Sequence, residues 1–302
     1  MRHKTLVFVA LLVIAFLNAC SSSSTTPAPP AGPQFLYATD FTSGKIFVYQ
    51  LPASATAVPT VTLSTGFTTL YASAISGGVL YVDNNVSPAV IYGYTLPLTA
   101  TSAVVTTINT TGTSNAFGFT FDPAGNLWLA DQGNSRLLGY HGPFSGVSTP
   151  TPFTTITTGI TSPWNVTTDA AGNLYDANGT AVAVLDAPPS TISLTLSALS
   201  EPIPMQVDSA GNLYVADFAT GNLYRYNAPL SNAETPSITD PKANTTLVAP
   251  YFMALDSAGN LYVSDCSGSV KVFATGTFSA TSAPSYALPL PSAACSTGLA
   301  IH

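Results

Sequence analysis

Two nearly identical segments of ten residues place the strongest constraint on the fold. Residues 208–217 read DSAGNLYVAD, and residues 256–265 read DSAGNLYVSD. Six Leu–aromatic pairs, including the ones inside these segments, recur at regular intervals of 44, 47, 47, 39 and 48 residues. The six pairs are Leu36–Tyr37, Leu80–Tyr81, Leu127–Trp128, Leu174–Tyr175, Leu213–Tyr214 and Leu261–Tyr262. Repeats of about 40 to 50 residues built from short strands are typical of β-propeller blades, so the spacing predicts six blades.

The order of residues within each unit predicts four strands. A short strand ends in Asp122, Asp169, Asp208 or Asp256 and is followed by a tight turn such as DPAGN, in which Gly supplies a positive φ. The Leu–aromatic strand comes next. A third strand then ends in an aromatic residue and Pro, and a Thr/Ser/Val-rich strand closes the unit. The interval of 39 residues leaves open whether the shortest unit has three strands or four.

The two ends of the repeat region predict how the ring closes. The segment GLAIH at residues 298–302 matches GFTFD at residues 118–122, which opens a unit, whereas FLYATD at residues 35–40 begins with a second strand. Joined together, the two segments complete one blade. We therefore expect an all-β, six-bladed propeller of four-stranded blades over residues 34–302, closed by pairing of the C-terminal strand with N-terminal strands, which removes open sheet edges.

Three units carry a resemblance to a known family: DPAGNLWLADQGNSRLLGY, DSAGNLYVADFATGNLYRY and DSAGNLYVSDCSGSVKVF, which begin at Asp122, Asp208 and Asp256. They resemble NHL-repeat propellers and, more loosely, the wider group that includes gluconolactonase-like enzymes. The resemblance covers nearly all of residues 35–302 and implies the fold. It leaves the function open, because such propellers serve as scaffolds, binders, lyases and lactonases. Blade four departs from the pattern with Asp176, where other blades carry Val, Leu or Ala.

The N-terminal region predicts export and lipidation. Basic residues in MRHK precede twelve apolar residues, LVFVALLVIAFL, which are too few to span a bilayer as a helix. The following LNAC resembles the lipobox of bacterial lipoproteins, which implies cleavage before Cys20 and acylation of its thiol. Residues 1–19 are thus a predicted signal peptide, and residues 20–33 a Ser/Thr/Pro-rich tether.

The implied partner of Cys20 is a membrane, and the implied location is the cell envelope. Ser21 after the Cys favours the outer membrane by resemblance to enteric lipoproteins. The periplasmic face and the cell surface are the other locations considered.

Composition argues against several classes of function. Only 7% of the residues are charged, against about 25% in a typical protein, and no Lys/Arg cluster offers counter-charge to nucleic acid. The histidines are His3, His141 and His302. His141 is predicted to lie on the surface at the end of a third strand, so a Ser-His-Asp or Cys-His nucleophile and a His-ligated zinc lack support. We expect no cofactor; calcium or another divalent cation is the weaker alternative.

The resemblance to these propellers implies that a ligand binds in the channel mouth or on the face where each blade connects to the next. Six residues end the second strands there, and their repetition predicts that they cap turns rather than share a cation. They are Asp40, Asn84, Asp131, Asn178, Asp217 and Asp265.

The residues that lead into the first strands do not repeat, which makes them better candidates for a site. They are Asn115, Phe117, Trp164, Asn165, Glu201, Tyr251 and Phe252. An aromatic mouth with a few polar groups suits a sugar or small organic ligand. Packing between blades is the competing interpretation.

Two further cysteines, Cys266 and Cys295, fall on this same face. In an exported protein they predict a disulfide that holds the closing strand beside the seam of the ring. The alternative is two separately buried thiols.

These observations predict a lipid-anchored, non-catalytic binding or scaffold module for an unknown protein, carbohydrate or small molecule. One alternative is a lactonase-like hydrolase with a divalent cation on Glu201, Asn115 and Asn165. A second alternative is a structural protein of the envelope or an adhesin.

Overall fold

The structure, a computed structural model, describes residues 32–291 and 295–302. The predicted signal peptide lies outside the described residues, as do Cys20 and nearly all of the predicted tether. Residues Pro33–His302 form one compact unit. Within the described ranges no helix combines the length and the apolar character needed to cross a membrane.

The described residues form short strands joined by turns, with one α-helical turn, α1 (Lys242–Thr245), and two 3-10 turns, Gln132–Asn134 and Thr275–Thr277. The strands are β1 (Phe35–Asp40), β2 (Lys45–Gln50), β3 (Val61–Ser64), β4 (Ser73–Ser76), β5 (Val79–Asp83), β6 (Val90–Thr95), β7 (Thr106–Asn109), β8 (Ala116–Phe121), β9 (Leu127–Asp131), β10 (Arg136–Tyr140), β11 (Gly146–Ser148), β12 (Thr154–Ile156), β13 (Pro163–Thr168), β14 (Leu174–Asn178), β15 (Ala181–Leu185), β16 (Leu194–Leu196), β17 (Pro202–Val207), β18 (Leu213–Asp217), β19 (Leu223–Tyr226), β20 (Ile238–Asp240), β21 (Phe252–Leu255), β22 (Asn260–Ser264), β23 (Ser269–Ala274), β24 (Tyr286–Pro289) and β25 (Ser296–Ile301).

Six antiparallel sheets of four strands form the blades of a ring, as the repeat predicts. From the inner to the outer strand, blade one is β25-β1-β2-β3, blade two is β4-β5-β6-β7, and blade three is β8-β9-β10-β12. Blades four, five and six are β13-β14-β15-β16, β17-β18-β19-β20 and β21-β22-β23-β24. Every blade therefore has four strands, including the one with the shortest repeat interval.

A fifth strand on blade two is a departure from the predicted pattern. The connection between β10 and β12 of blade three supplies β11, which pairs in parallel with β7. The side-chain amide of Asn109 also donates to the carbonyl of Ser148, at 3.4 Å. The added strand covers the outer edge of blade two, which would otherwise present unpaired backbone groups.

The ring closes within blade one, as predicted from the two chain ends. The C-terminal strand β25 is innermost and pairs antiparallel with β1, aligning Leu36 with Ile301 and Tyr37 with Ala300. The backbone groups of Phe35 and His302 exchange two hydrogen bonds, of 2.9 and 3.0 Å.

The DPAGN-type turn is held by its first residue. In blade three, Asp122 Oδ1 accepts from the backbone N–H groups of Ala124 and Asn126, both at 2.9 Å. Asp122 Oδ2 accepts from the Asn126 amide at 2.9 Å and from the Trp128 indole at 3.1 Å. The same local hydrogen bonds recur at Asp169, Asp208 and Asp256. Gly125, with φ of +82°, supplies the left-handed position of the turn.

Five of the six residues that end the second strands cap turns, as predicted. Asn84 is the exception: its Oδ1 has no hydrogen-bond partner among the described residues, and the preceding Asp83 accepts from backbone N–H groups in its place. Asp131 accepts from the backbone N–H of Ser114 at 2.8 Å and pairs with Arg136 at 2.6 Å. Asp217 accepts from the backbone N–H groups of Ser200 and Glu201, at 2.7 and 3.0 Å. These bonds fix the connection that leads into the first strand of the same blade.

Cys266 and Cys295 form a disulfide, as predicted, across a sequence separation of 29 residues. Cys266 follows β22 of blade six, and Cys295 directly precedes β25 of blade one. The backbone N–H of Phe41 also donates to the carbonyl of Cys295, at 3.4 Å. The bond therefore spans the seam at which the two ends of the repeat region meet.

Replacing both Cys266 and Cys295 by Ser should lower the free energy of unfolding by about 3 to 4 kcal/mol. Removing a cross-link of this loop length increases the conformational entropy of the unfolded chain by about that amount. Urea unfolding measures the change, from the midpoint of the transition and the slope of the free energy of unfolding against urea concentration. The wild-type chain in reducing agent should match the double variant. An unchanged midpoint in both would contradict a stabilising bond.

Candidate functional site

A central channel runs between the six innermost strands, β25, β4, β8, β13, β17 and β21, and encloses about 270 Å³. Its wall carries polar side chains as well as apolar ones, among them Ser73, Asn165, Thr167 and Gln206. Ser73 is buried, and its Oγ has no hydrogen-bond partner among the described residues. The channel wall is therefore partly polar, although the Ser73 hydroxyl itself is shielded from the channel.

One level of the channel wall differs from blade to blade. Strand register aligns the following residues at this level: Gly298, Ala72, Gly118, Asn165, Pro204 and Phe252. Asn165 supplies the polar side chain of this set; it is 5% exposed, and its Oδ1 accepts from the backbone N–H of Val166 at 2.9 Å. A Cβ at Gly118 would lie 2.6 Å from Cα of Asn165, so glycine is needed for the close approach of β8 to β13.

Seven aromatic side chains, one of them Phe252 of this level, surround the mouth of the channel. We call them the aromatic arc. They are Phe41, Tyr71, Phe117, Trp164, Phe218, Tyr251 and Phe252. Tyr71 is central: its ring lies 5.2 Å from that of Phe117, 5.6 Å from Tyr251 and 5.7 Å from Phe252. Phe117 stacks on Trp164 at 4.7 Å and 15°.

Four of the predicted site residues thus come together. Phe117 contacts Trp164 directly, and Tyr251 and Phe252 join them through Tyr71. The sequence reasoning missed Tyr71, although an extra Leu–aromatic pair at residues 70–71 precedes the first strand of blade two. It also missed Phe41 and Phe218, each of which directly follows a strand-ending Asp.

The aromatic arc combines the two interpretations that the sequence left open, packing between blades and an exposed surface for a ligand. Tyr71 and Phe252 are buried and pack between blades, at 6% and 5% exposure. Phe117, Trp164 and Tyr251 are only partly buried. The buried rings therefore fix the positions of three neighbours that retain exposed surface at the mouth.

The electrostatics of the mouth come from two carboxyl groups and two phenols. Burial raises the pKa of Asp83 to about 7, although the backbone N–H of Ala72 donates to its Oδ1 at 2.6 Å. Burial, and then the nearby charge of Asp217, raise the pKa of Glu201. Burial also raises the pKa of the Tyr71 hydroxyl, with further contributions from Tyr251, Asp83 and Glu201. Each shift favours the neutral form of the group over its charged form.

The remaining predicted residues lie in different surroundings. Asn115 is exposed on the loop before β8, with a left-handed φ of 49°. Asn165 lines the channel, and Glu201 is partly exposed beside β17. In the part of the chain that the structure describes, no three His, Cys, Asp or Glu side chains are grouped to hold a metal ion. The alternative cation site on Glu201, Asn115 and Asn165 stays a prediction.

Asp176, the departure noted in blade four, is fully buried in β14. Neither carboxyl oxygen has a hydrogen-bond partner among the described residues, and burial raises its pKa well above the usual 3.8. Strand register aligns it with Ala38, Val82, Leu129, Val215 and Val263 of the other blades. The carboxyl group therefore occupies an apolar position of the blade.

Of three comparisons with known proteins, the one with solved structures supports the fold, and none identifies the function. No family model matches the chain, and no curated protein matches it. A solved structure described as a nidogen/laminin complex contains a chain that is 17% identical, with a TM-score of 0.65 over 89% of this chain and 98% of that one. A Bacteroides caccae protein of unknown function is 14% identical, with a TM-score of 0.61 over 89% and 99%. The WD40 propeller domain of Doa1 is 9% identical, with a TM-score of 0.57 over 78% and 74%.

Identities this low show the fold alone. The protein is a six-bladed β-propeller, a class often used for binding or as a scaffold. Its resemblance to NHL repeats remains a prediction from the motifs.

Replacing Asp176 by Val, the residue of blades two, five and six, should stabilise the protein by about 2 kcal/mol near pH 4 and by more at pH 7. A buried polar group without a partner costs about 1 to 3 kcal/mol. The gain should grow as pH rises above about 4, because the folded protein keeps a proton that the unfolded chain releases above its usual pKa of 3.8. Urea unfolding at several pH values measures both effects.

The matched control is Asp176→Asn, which keeps a buried polar group but has no titrating proton. The free energy of unfolding of Asp176→Asn, measured relative to the wild type, should also rise with pH. At each pH it should stay below that of Asp176→Val. Asp83 is present in every protein compared, so its own titration cancels. Parallel pH profiles for the wild type and Asp176→Asn would contradict a raised pKa at Asp176.

Proposed function

We propose that the protein is a non-catalytic binding module that holds a neutral, hydroxyl-bearing ring, such as a pyranose, at the channel mouth. The observation that carries this proposal is the partly exposed stack of Phe117 on Trp164, beside Glu201 and Tyr251. These side chains lead into four different blades and do not repeat between them. Packing demands common to all blades therefore do not account for them.

The apolar part of the recognition comes from the exposed ring faces. A pyranose presents a flat face of C–H groups, which packs on an aromatic ring as other apolar surfaces do. The buried members Tyr71 and Phe252 hold the arc in place, so little conformational freedom is lost when a ligand binds.

The polar part comes from groups around and below the arc. Glu201 and the hydroxyl of Tyr251 lie at the mouth, and Asn165 lies below them in the channel wall. Together they supply both donors and acceptors for hydroxyl groups. None of these polar groups is a cation, so they offer no counter-charge to an anionic ligand.

Membrane attachment is the second part of the proposal, and it rests on the sequence LNAC at residues 17–20. A lipid on Cys20 and the following tether would hold the propeller at a membrane outside the cytoplasm. The mouth would then be available to envelope or environmental carbohydrates.

Replacing Trp164 by Ala should weaken binding to glycans about tenfold or more, because truncating a central aromatic contact commonly costs that much. A glycan array of mono- and oligosaccharides supplies the probes, followed by calorimetry on those bound by the wild type. Trp128→Tyr is the matched control, because the other five blades carry Tyr at that position. It should bind as the wild type does. Failure of the wild type to bind any glycan, or unchanged binding by Trp164→Ala, would contradict the proposal.

Mass spectrometry of protein purified from membranes should identify an N-terminal peptide that begins at Cys20 and carries a diacylglyceryl group. The peptides that contain Cys266 and Cys295 serve as internal controls and should carry no lipid. An N-terminal peptide that begins elsewhere, or an unmodified Cys20, would exclude the anchor while leaving the glycan site to its own test.

A further inference from the structure

A second concave site lies between blades three and four, at the ends of the strands opposite the channel mouth. It encloses about 450 Å³, a size typical of small-molecule sites. We call it the lower groove and define it by Asp122, Asn126, Trp128, His141, Phe153 and Pro188.

The lower groove gathers departures from the repeat. Trp128 stands where the other five blades carry Tyr. Phe153 precedes β12 and donates its backbone N–H to the carbonyl of Gly139. The residues at the corresponding position of the other blades are Thr60, Val105, Ser193, Ser237 and Ser285. Because those blades pack with smaller side chains, blade packing does not require a Phe here.

The rings in the lower groove are arranged around an exposed face. Phe153 is 42% exposed, which is unusual for so large an apolar side chain. His141 stacks on it at 4.2 Å and 15°, and Trp128 meets it edge-on at 5.6 Å and 82°. Pro188 of blade four faces this group across the groove. The result is a slot between ring surfaces.

The hydrogen-bonding capacity of the lower groove is largely used within the protein. All four acceptor positions of Asp122 are taken, by the backbone N–H groups of Ala124 and Asn126, the Asn126 amide and the Trp128 indole. Asn126 Oδ1 accepts from His141 Nδ1 and from the backbone N–H of Gly142, at 3.3 and 3.4 Å. A sugar with many hydroxyl groups would find few partners here.

The charge of the lower groove is nevertheless negative. Asp122 lines it, and none of its lining residues is Lys or Arg. The ion pair found among the described residues joins Arg136 to Asp131 and leaves Asp122 without a cationic partner. Four hydrogen bonds hold this carboxylate in place, and its field extends into the slot between the rings.

We propose that the lower groove binds an alkylated ammonium cation, such as a quaternary ammonium head group. A quaternary ammonium group has no N–H and needs no hydrogen-bond acceptor, so the saturated side chains do not disfavour it. Its alkyl groups pack on Pro188 and the ring faces of Phe153 and His141, while its charge is attracted to the rings and to Asp122. The acceptors already in use, the exposed rings and the negative charge each favour this class over a sugar.

The test uses the two tryptophans of the chain, Trp128 and Trp164, which belong to different sites. In the full-length Trp164→Phe variant, the fluorescence of Trp128 reports on the lower groove. We expect choline to change this fluorescence saturably, with at least tenfold higher affinity than its neutral carbon isostere, 3,3-dimethyl-1-butanol. Adding Phe153→Ser, the residue of blades four, five and six, should weaken choline binding at least tenfold.

Fold integrity is checked by the thermal midpoint, which should change little because three other blades carry Ser at this position. His141→Thr, which introduces the residue of blade two, is a second variant with a milder expected loss. Equal affinity for choline and the neutral isostere would overturn the proposal, as would the absence of a saturable change. Unaltered choline binding in a folded Phe153→Ser variant would also overturn it. None of these outcomes depends on glycan binding at the mouth, because Trp164 is absent from every protein compared.

Discussion

Closure of the ring by β25 is the interaction on which the rest of the structure depends. Each blade buries its faces against two neighbours, so an open ring would expose two blade faces and the edge of β1 together. The seam carries bonds beyond the strand pairing. The backbone N–H of Gly298 donates to Thr39 Oγ1 at 2.7 Å, and Ser264 Oγ donates to the carbonyl of Thr297 at 2.8 Å. The second bond connects blade six to blade one, beside the disulfide. The channel and its mouth keep their shape because this seam is held at several points.

The sequence predicted the features that arise within one repeat, or from comparing repeats. The DPAGN-type turn is local: Asp122 bonds to residues two to six positions further on, so spacing alone identifies it. Blade number, ring closure and the cysteine pair follow from counting such units. The missed features are those in which distant segments meet. Strand β11 leaves blade three to pair with β7, and no period in the sequence marks that excursion. Tyr71 gains its role only because blades one, three and six direct aromatic side chains towards it.

Because six copies of one unit are present, each blade is a reference for the other five. Residues that differ from their counterparts in the other blades are of two physical kinds, buried and exposed. Asp176 departs inside the blade, where both its oxygens lack partners, so its consequence is a loss of stability that varies with pH. Phe153 departs at the surface, where its ring stays exposed. A buried departure changes the free energy of folding, whereas an exposed one changes what the protein can contact. Burial therefore separates the two in a way that the sequence alone does not.

The boundary between blades three and four shows how one interface can hold two different sites. At the mouth, Gly118 lets β8 approach Asn165 closely, and Phe117 stacks on Trp164 across the same boundary. At the other end of the strands the innermost strands still touch, because Thr168 Oγ1 donates to the carbonyl of Phe121 at 3.1 Å. The lower groove lies beyond this contact, between residues such as Phe153 and Pro188. Strands of five or six residues separate the two ends of the interface by about 17 to 20 Å, so occupants of the two sites would not touch.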